Sequence, residues 1–167
     1  VQLLLDAFSE LDGSGAVLVF LGSGYLENDI SSAAGQVKNI FMHPAVSYEE
    51  IIAYSSSADF GLNSVENVCL SYYYCMPNKL FEYIQAGIPI VTTNLYECKH
   101  LVEDEHIGLV IPEFTVQSVK ETVLKAMKTE TSQFEPGLKR AADIYHWAAE
   151  EAKFVAIYQD LSTRDGH

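Results

Sequence analysis

The feature that most restricts the fold of this chain is a repeated alternation between short apolar runs and longer segments with helical periodicity. Five runs have the length and composition of buried strands, and each is followed by a segment whose apolar residues recur every three or four positions. Continuous apolar runs are typical of parallel strands that are covered on both faces. The alternation therefore predicts a three-layer α/β/α fold with a mostly parallel sheet and right-handed crossovers. The predicted strands are 16–21, 38–42, 58–63, 88–93 and 107–111.

The length of the chain limits how many such units it can form. Its 167 residues, of which 49% are hydrophobic, are sufficient for one domain with a substantial core. We expect a single domain over residues 1–167, which ends in a C-terminal helix over 138–161 with a bend near His146. Pro136 and Gly137 are expected to break the chain before this helix.

The strongly acidic composition restricts the partners of this chain. A formal net charge of −13 repels nucleic acid and anionic membrane surfaces, so we expect neither as a partner of this segment. The same charge disfavours a phosphate ligand, so any anion site has to be built locally from backbone N–H groups and a few cations. No apolar run approaches the ~20 residues that cross a bilayer. We therefore expect a cytoplasmic chain without a membrane span.

The three cysteines, Cys69, Cys75 and Cys98, are odd in number and lack the spacing of metal ligands. They predict reduced thiols that are partly buried, with no disulfide and no zinc site. The longest segment without a clear period is 64–76, and segments of this length in compact domains are commonly functional. Its tyrosines either form the wall of a site or simply pack.

The segment 77–89, PNKLFEYIQAGIP, predicts a short helix with both ends marked. Pro77 suits the first helical position, and Gly87 suits a left-handed residue after the last turn. Lys79 and Glu82 are three residues apart and share a face, where they form either a ligand site or an exposed ion pair of little energetic consequence. The helix N-terminus and Lys79 favour a phosphate, while Glu82 can accept hydrogen bonds from hydroxyl groups.

Several turns are expected to meet beside this helix, because the carboxyl ends of parallel strands gather at one edge of a sheet. The turn 22–24, Gly-Ser-Gly, lacks the third glycine of a dinucleotide motif and the lysine of a P-loop, so a structural turn is favoured. His43 ends a predicted strand and is either a hydrogen-bond donor to a ligand or a surface residue. The convergence of 22–24, 43–46 and 92–94 on the helix N-terminus favours the ligand interpretation of Lys79 and Glu82 over the ion pair.

The string 66–92, ENVCLSYYYCMPNKLFEYIQAGIPIVT, follows NIFMHPAVSYEEIIAYSSSADFGL and resembles the C-terminal Rossmann-like domain of GT-B glycosyltransferases. It is most similar to the retaining family 4, or group 1, enzymes, and the resemblance extends from the first helix to the helix of Trp147. The combination of PNKLFEY with AGIPIV is its most specific part. The resemblance implies binding of a nucleotide-diphosphate sugar, with no metal or other cofactor.

The resemblance also implies roles for individual residues. Glu82 stands at the position of the second acid in the family's paired-glutamate motif, which binds ribose hydroxyls. Asn78 and Lys79 would lie beside the diphosphate, and the segment 43–46 would border the base.

The first acid of the motif normally stands eight residues earlier and faces the sugar, but here that position is Tyr74. A shifted alignment would make Glu66 its replacement, and Glu66 is the one candidate for a catalytic residue. The predicted substrate-binding residues are Pro77, Asn78, Lys79, Glu82, Gly22, Ser23, Gly24, His43, Val46 and Glu66.

The family's domain opens with a strand that ends in a glycine-arginine turn, followed by a lysine on the first helix, and this sequence starts after both. We therefore expect a gap in the sheet where that first strand would lie. We also expect a longer, two-domain polypeptide whose N-terminal domain binds a glycan or lipid-linked acceptor. Through that domain, the protein is expected to be peripheral at the inner membrane. The expected function is that of a glycosyltransferase, with this chain inactive alone. The alternatives are a GT-B epimerase or phosphorylase, or a non-catalytic Rossmann-like interaction module.

Overall fold

The computed structural model of the protein describes residues 1–164, so residues 165–167 of the predicted domain lie outside the described residues. Within that range strands and helices alternate, as the sequence pattern predicts. The elements are α1 (Gln2–Glu10), β1 (Leu18–Leu21), α2 (Glu27–Gln36), β2 (Ile40–His43), α3 (Tyr48–Ser55), β3 (Gly61–Asn63), α4 (Leu70–Tyr73), α5 (Asn78–Ala86), β4 (Ile90–Thr93), α6 (Tyr96–Asp104), β5 (Gly108–Ile111), α7 (Val116–Ala126), a 3₁₀ turn (Thr131–Phe134), α8 (Glu135–Ile144) and α9 (Trp147–Arg164).

The strands form two parallel groups. β1 pairs with β2, with Leu18 opposite Ile40, while β4 lies between β3 and β5, with Val91 opposite Leu62 and Leu109. No backbone ladder joins the two groups within the described range. The predicted Rossmann-like α/β class with parallel strands is confirmed.

Two hydrophobic clusters cover opposite faces of the three-stranded group. Adjacent residues of a strand point to opposite faces, and here Ile90 belongs to one cluster and Val91 to the other. The cluster around Val91 also contains Phe8 of α1 and Ile40 of β2, so α1 connects the two strand groups. The cluster around Ile90 contains Leu80 and Ile84 of α5, Leu101 and Val102 of α6 and Leu138 of α8.

Local side-chain chemistry marks the starts of two helices. Ser47 and Glu50 form a capping box at the start of α3, and the Thr115 hydroxyl accepts from the Ser118 amide at the start of α7. Gly35 does not end α2 but lies inside that helix. Leu70–Tyr73 forms one helical turn inside the segment predicted to be irregular.

The prediction of one continuous helix over 138–161 is wrong, but the break between the two observed helices lies at the bend predicted near His146. α8 already begins at Glu135 because Pro136 is tolerated in a first turn, where its missing N–H costs no helical hydrogen bond. Gly137 allows close packing, since a Cβ there would overlap the backbone oxygen of Glu105. The helix ends at Ile144, and Tyr145 leaves helical geometry while its hydroxyl donates to the Glu105 carboxylate at 3.1 Å. A separate helix, α9, starts at Trp147.

None of the helices in residues 1–164 is long and apolar enough to cross a membrane.

Candidate functional site

The candidate site is built on the N-terminus of α5. Pro77, with φ −65° and ψ 142°, is the residue just before the helix, not its first helical residue as predicted. Leu80 N donates to Pro77 O at 3.0 Å, but no side chain caps the helix, and in residues 1–164 the amides of Asn78 and Lys79 have no protein acceptor. Gly87 adopts the predicted left-handed conformation, with φ 71°, at the other end. The N-terminal amides of α5 are therefore available to an anion.

Lys79 and Glu82 follow on the same face of α5, and both side chains are partly buried. They do not form the ion pair that was the alternative interpretation, although three other pairs occur in the described part of the chain. Burial lowers the pKa of Lys79, and the charge of Glu82 partly opposes this effect. A partly buried ammonium without a paired carboxylate is costly, and an anionic ligand beside the open amides would offset that cost.

Tyr83 positions α5 relative to the sheet. Its ring lies against Gly61 so closely that a Cβ at this position would overlap the ring, and its hydroxyl donates to Leu62 O at 3.4 Å. Burial raises the pKa of Tyr83 to about 12, and the neighbouring charge of Glu82 acts in the same direction. The helix that carries Lys79 and Glu82 is thus held directly on β3.

A buried polar cluster lies at the carboxyl ends of β3 and β4. The Asn63 amide donates to the Thr92 hydroxyl at 3.0 Å and to the Cys98 sulfur at 3.4 Å, and burial raises the pKa of the Cys98 thiol. Cys98 in turn donates to Cys75 O at 3.4 Å, and Thr93 Oγ1 donates to Val65 O at 2.8 Å. These contacts fasten both ends of the loop that precedes α5.

Sequence reasoning missed this cluster. Its signal was the presence of Asn63 and Thr92 at the ends of otherwise apolar runs, where a buried polar side chain needs a partner. The amide oxygen of Asn63 is buried without a hydrogen-bond partner among the described residues.

The loop before α5 carries the other two sequence candidates. Glu66 is exposed, and its backbone oxygen accepts from Val68 N at 3.0 Å. Tyr74, eight residues before Glu82, packs between Tyr73 and Tyr96 with ring-centroid distances of 4.9 and 5.5 Å. The prediction that the tyrosines simply pack thus holds for the half-buried Tyr73, whereas Tyr74 also presents an exposed surface.

The remaining candidates lie at the ends of β1 and β2. Gly22, with φ 139°, donates from its amide to His43 O at 3.1 Å, which places the two strand ends side by side. His43 Nδ1 donates to Pro44 O at 2.9 Å, and its ring lies 4.9 Å from that of Tyr54 on α3.

Helix α3 packs against α5 and thereby links these strand ends to the α5 helix. Ser23 and Gly24 are exposed in the turn, and Val46 is half-buried just before α3. The structure thus places the predicted residues in two groups, one on α5 and its loop and one at the β1 and β2 ends, and α3 contacts both groups. Among residues 1–164 no three His, Cys, Asp or Glu side chains are grouped as metal ligands.

Parallel strands with helices on both faces, and a helix N-terminus at their carboxyl edge, define a Rossmann-like α/β domain. The model of the family "Glycosyl transferases group 1" matches residues 1–143. Because this match includes most of the chain, the chain belongs to that family, and the resemblance found in the sequence is confirmed.

One similar solved structure is the crystal structure of WaaG, a glycosyltransferase involved in lipopolysaccharide biosynthesis. The TM-score is 0.61 at 19% sequence identity, over 86% of this chain and 38% of that one. At this identity the likeness concerns the fold, which is that of a GT-B domain, and this chain spans 38% of the length of WaaG. No curated protein matches the chain.

Proposed function

We propose that this chain is the donor-binding part of a glycosyltransferase and binds a nucleotide-diphosphate sugar for transfer to a glycan or lipid-linked acceptor. The observation that carries the proposal is the N-terminus of α5. Two amides there have no acceptor within residues 1–164, and they lie beside the partly buried Lys79, which forms no ion pair in that range. Membership of the glycosyl transferases group 1 family supports this interpretation of the site.

The diphosphate is proposed to bind at the amides of Asn78 and Lys79. The chain carries a net charge of −13, so its long-range field does not attract an anion, and a local site has to overcome it. Backbone N–H groups at a helix N-terminus and one lysine supply such a site, without a resident metal in this proposal.

The ribose and the base are proposed to lie further along the same edge. Glu82 accepts hydrogen bonds from the ribose hydroxyls, while the segment 43–46 borders the base, and the turn at 22–24 lies next to it. Glu66 is the candidate residue of the loop that faces the reacting sugar. In the retaining transfer that we propose, the bond from the anomeric carbon to the diphosphate breaks and a bond to an acceptor hydroxyl oxygen forms. The proton of that hydroxyl passes to the departing diphosphate. The diphosphate charge that develops on departure is stabilised by the α5 N-terminus and Lys79.

The acceptor is proposed to contact another part of the full-length protein, with the enzyme cytoplasmic and peripheral at the inner membrane. The structure of WaaG, a glycosyltransferase of lipopolysaccharide biosynthesis that shares this fold, makes a lipid-linked glycan a reasonable acceptor class.

Calorimetric titration of UDP and GDP into the full-length protein tests the donor site. We expect Glu82→Gln and Lys79→Met each to weaken nucleoside diphosphate binding by roughly tenfold, the effect of losing one charge-assisted hydrogen bond. The matched controls are Glu151→Gln on α9 and Lys128→Met after α7, which are both exposed. Equal affinities in all four variants would refute the assigned roles of Glu82 and Lys79.

The same preparations separate the alternative functions. A folded protein that binds neither nucleotide would favour a non-catalytic interaction module. Conversion of a nucleotide sugar to an isomer in the absence of any acceptor would favour an epimerase.

A further inference from the structure

A group of aromatic side chains lies at the surface next to the candidate site, and we call Tyr73, Tyr74 and Tyr96 the tyrosine platform. The ring of Tyr96 lies 6.1 Å from that of Tyr73 and 5.5 Å from that of Tyr74. Tyr74 is 55% exposed and Tyr96 is 43% exposed. Two aromatic rings are therefore held together with much of their surface open to solvent.

The tyrosine platform is ordered by its neighbours before any ligand binds. Tyr73 packs against the core cluster of Leu80 and Ile90. Tyr96 lies at the start of α6, directly after β4, and His100 Nδ1 donates to Tyr96 O at 2.7 Å with the two rings 4.3 Å apart. Because these rings already have defined positions, a ligand that stacks on them loses little further side-chain entropy.

The position of the tyrosine platform follows from its connections to α5. Tyr74 precedes Pro77 by three residues, and the intervening Cys75 O accepts a hydrogen bond from Cys98 of α6. The platform thus lies at the N-terminal end of α5, whereas Glu82 lies one turn into the helix. A nucleotide sugar with its diphosphate on the Asn78 amide and its ribose towards Glu82 has its sugar directed towards the platform.

We propose that Tyr74 and Tyr96 bind the sugar ring of the donor by stacking, a role that rests on the proposed function of the α5 site. The face of a pyranose ring presents C–H groups with a slight positive charge, which match the negative face of an aromatic ring. The exposed rings carry no formal charge, so they suit a neutral sugar better than another phosphate. The nucleotide base, the other flat group of the ligand, lies on the far side of the ribose.

The test compares two ligands in the full-length protein. UDP and UDP-glucose, and in parallel GDP and GDP-mannose, are titrated by calorimetry into the wild type, Tyr74→Ala and Tyr96→Ala. We expect each substitution to weaken nucleotide-sugar binding roughly three- to tenfold, the range of one aromatic contact, and to leave nucleoside diphosphate binding within about twofold. Tyr96→Phe, which keeps the ring, should restore the nucleotide-sugar affinity.

The control is Tyr158→Ala on α9, where the tyrosine is 60% exposed and remote from α5 in the chain. It should change neither affinity. If Tyr74→Ala and Tyr96→Ala retain the full nucleotide-sugar affinity, the sugar does not stack on the platform and the proposal is overturned. That result leaves nucleoside diphosphate binding intact, whereas failure of the proposed donor site appears as loss of diphosphate binding in the wild type itself.

Discussion

The two groups of strands differ in how their apolar residues are covered. In the three-stranded group every residue of β4 is buried, since one core cluster lies on each face. In the two-stranded group Leu18 and Ile40 are buried, but Val19 is 58% exposed and Phe41 is 49% exposed. Both groups consist of parallel, apolar strands, so their sequences alone do not distinguish them.

The difference shows that an apolar run predicts the presence of a strand, but does not predict whether helices bury both faces of that strand. β4 is enclosed because α5 and α6 supply Leu80, Ile84 and Leu101 on one face while α1 and α7 lie on the other. The candidate site lies on the enclosed group, where α5 is held in place by β3 and β4. A rigid position for the binding amides therefore depends on that packing.

The largest difference in stability is expected between substitutions of two glycines, one in β5 and one in α2, the helix that packs against β2. Gly108 of β5 lies against Ile90 of β4, and a Cβ there would overlap the backbone oxygen of Ile90. Since backbone atoms of a central strand cannot move aside, Gly108→Ala should lower the free energy of unfolding by at least ~4 kcal/mol, which chemical denaturation measures.

The matched change is Gly35→Ala in α2, the helix that covers β2. A Cβ at Gly35 meets no atom within 4 Å, and alanine favours a helix over glycine by up to ~1 kcal/mol. Gly35→Ala should therefore leave stability unchanged or raise it. A similar loss of stability in both variants would show that the surroundings of Gly35 are as tightly packed as those of Gly108.

The next largest difference in stability is expected between alanine substitutions of a strand residue in each group. Ile90 of β4 has no exposed surface, so Ile90→Ala should leave a cavity and cost about 3 kcal/mol of unfolding free energy. Val19→Ala on the exposed face of β1 should change it by less than ~0.5 kcal/mol. If Val19→Ala is as costly as Ile90→Ala, the face of β1 that carries Val19 is covered in the protein in solution.

The predictable parts of this structure depend on residues that are close in sequence. The five strands, the capping box of α3 and the left-handed Gly87 follow from runs and pairs within a few positions, and all of them are present in the structure. The division of the predicted helix 138–161 depends on contacts of Gly137 and Tyr145 with Glu105, more than thirty residues away in sequence. Such contacts leave no periodic signal.

The candidate site also has parts that neighbouring residues in the sequence predict and parts that they do not. The sequence of α5 indicates an anion-binding helix end with Lys79 and Glu82 on one face, because spacing on a helix fixes which residues are neighbours. It does not indicate that Asn63 meets Cys98 or that Tyr74 meets Tyr96, since these pairs are joined only by the packing of α6 against the loop.

A smaller effect concerns the contact between α5 and β3 at high pH. The pKa of Tyr83 is raised to about 12 in the folded state, so between pH 10 and 12 the folded protein binds more protons than the unfolded chain. This contribution to stability is therefore present below pH 10 and is lost as the pH rises towards 12. In Tyr83→Phe we expect the fall across this window to be about 2 kcal/mol smaller than in the wild type. Chemical denaturation of both proteins at pH 9 and pH 12 measures this difference. An equal fall in unfolding free energy for the wild type and Tyr83→Phe would contradict the burial of Tyr83.

The last effect on stability concerns Lys79. Burial lowers the pKa of Lys79 in the folded state. At pH values between this lowered pKa and the ordinary value of 10.5, the unfolded chain binds more protons than the folded protein, so stability rises with pH. Below this pH range the partly buried charge opposes folding, so Lys79→Met should raise the free energy of unfolding at pH 7 while it weakens nucleoside diphosphate binding. Opposite signs for stability and affinity are the mark of a residue that is retained for a ligand. If Lys79→Met instead lowers stability and leaves affinity unchanged, the ammonium group acts as a structural contact and the anion site on α5 loses its cation.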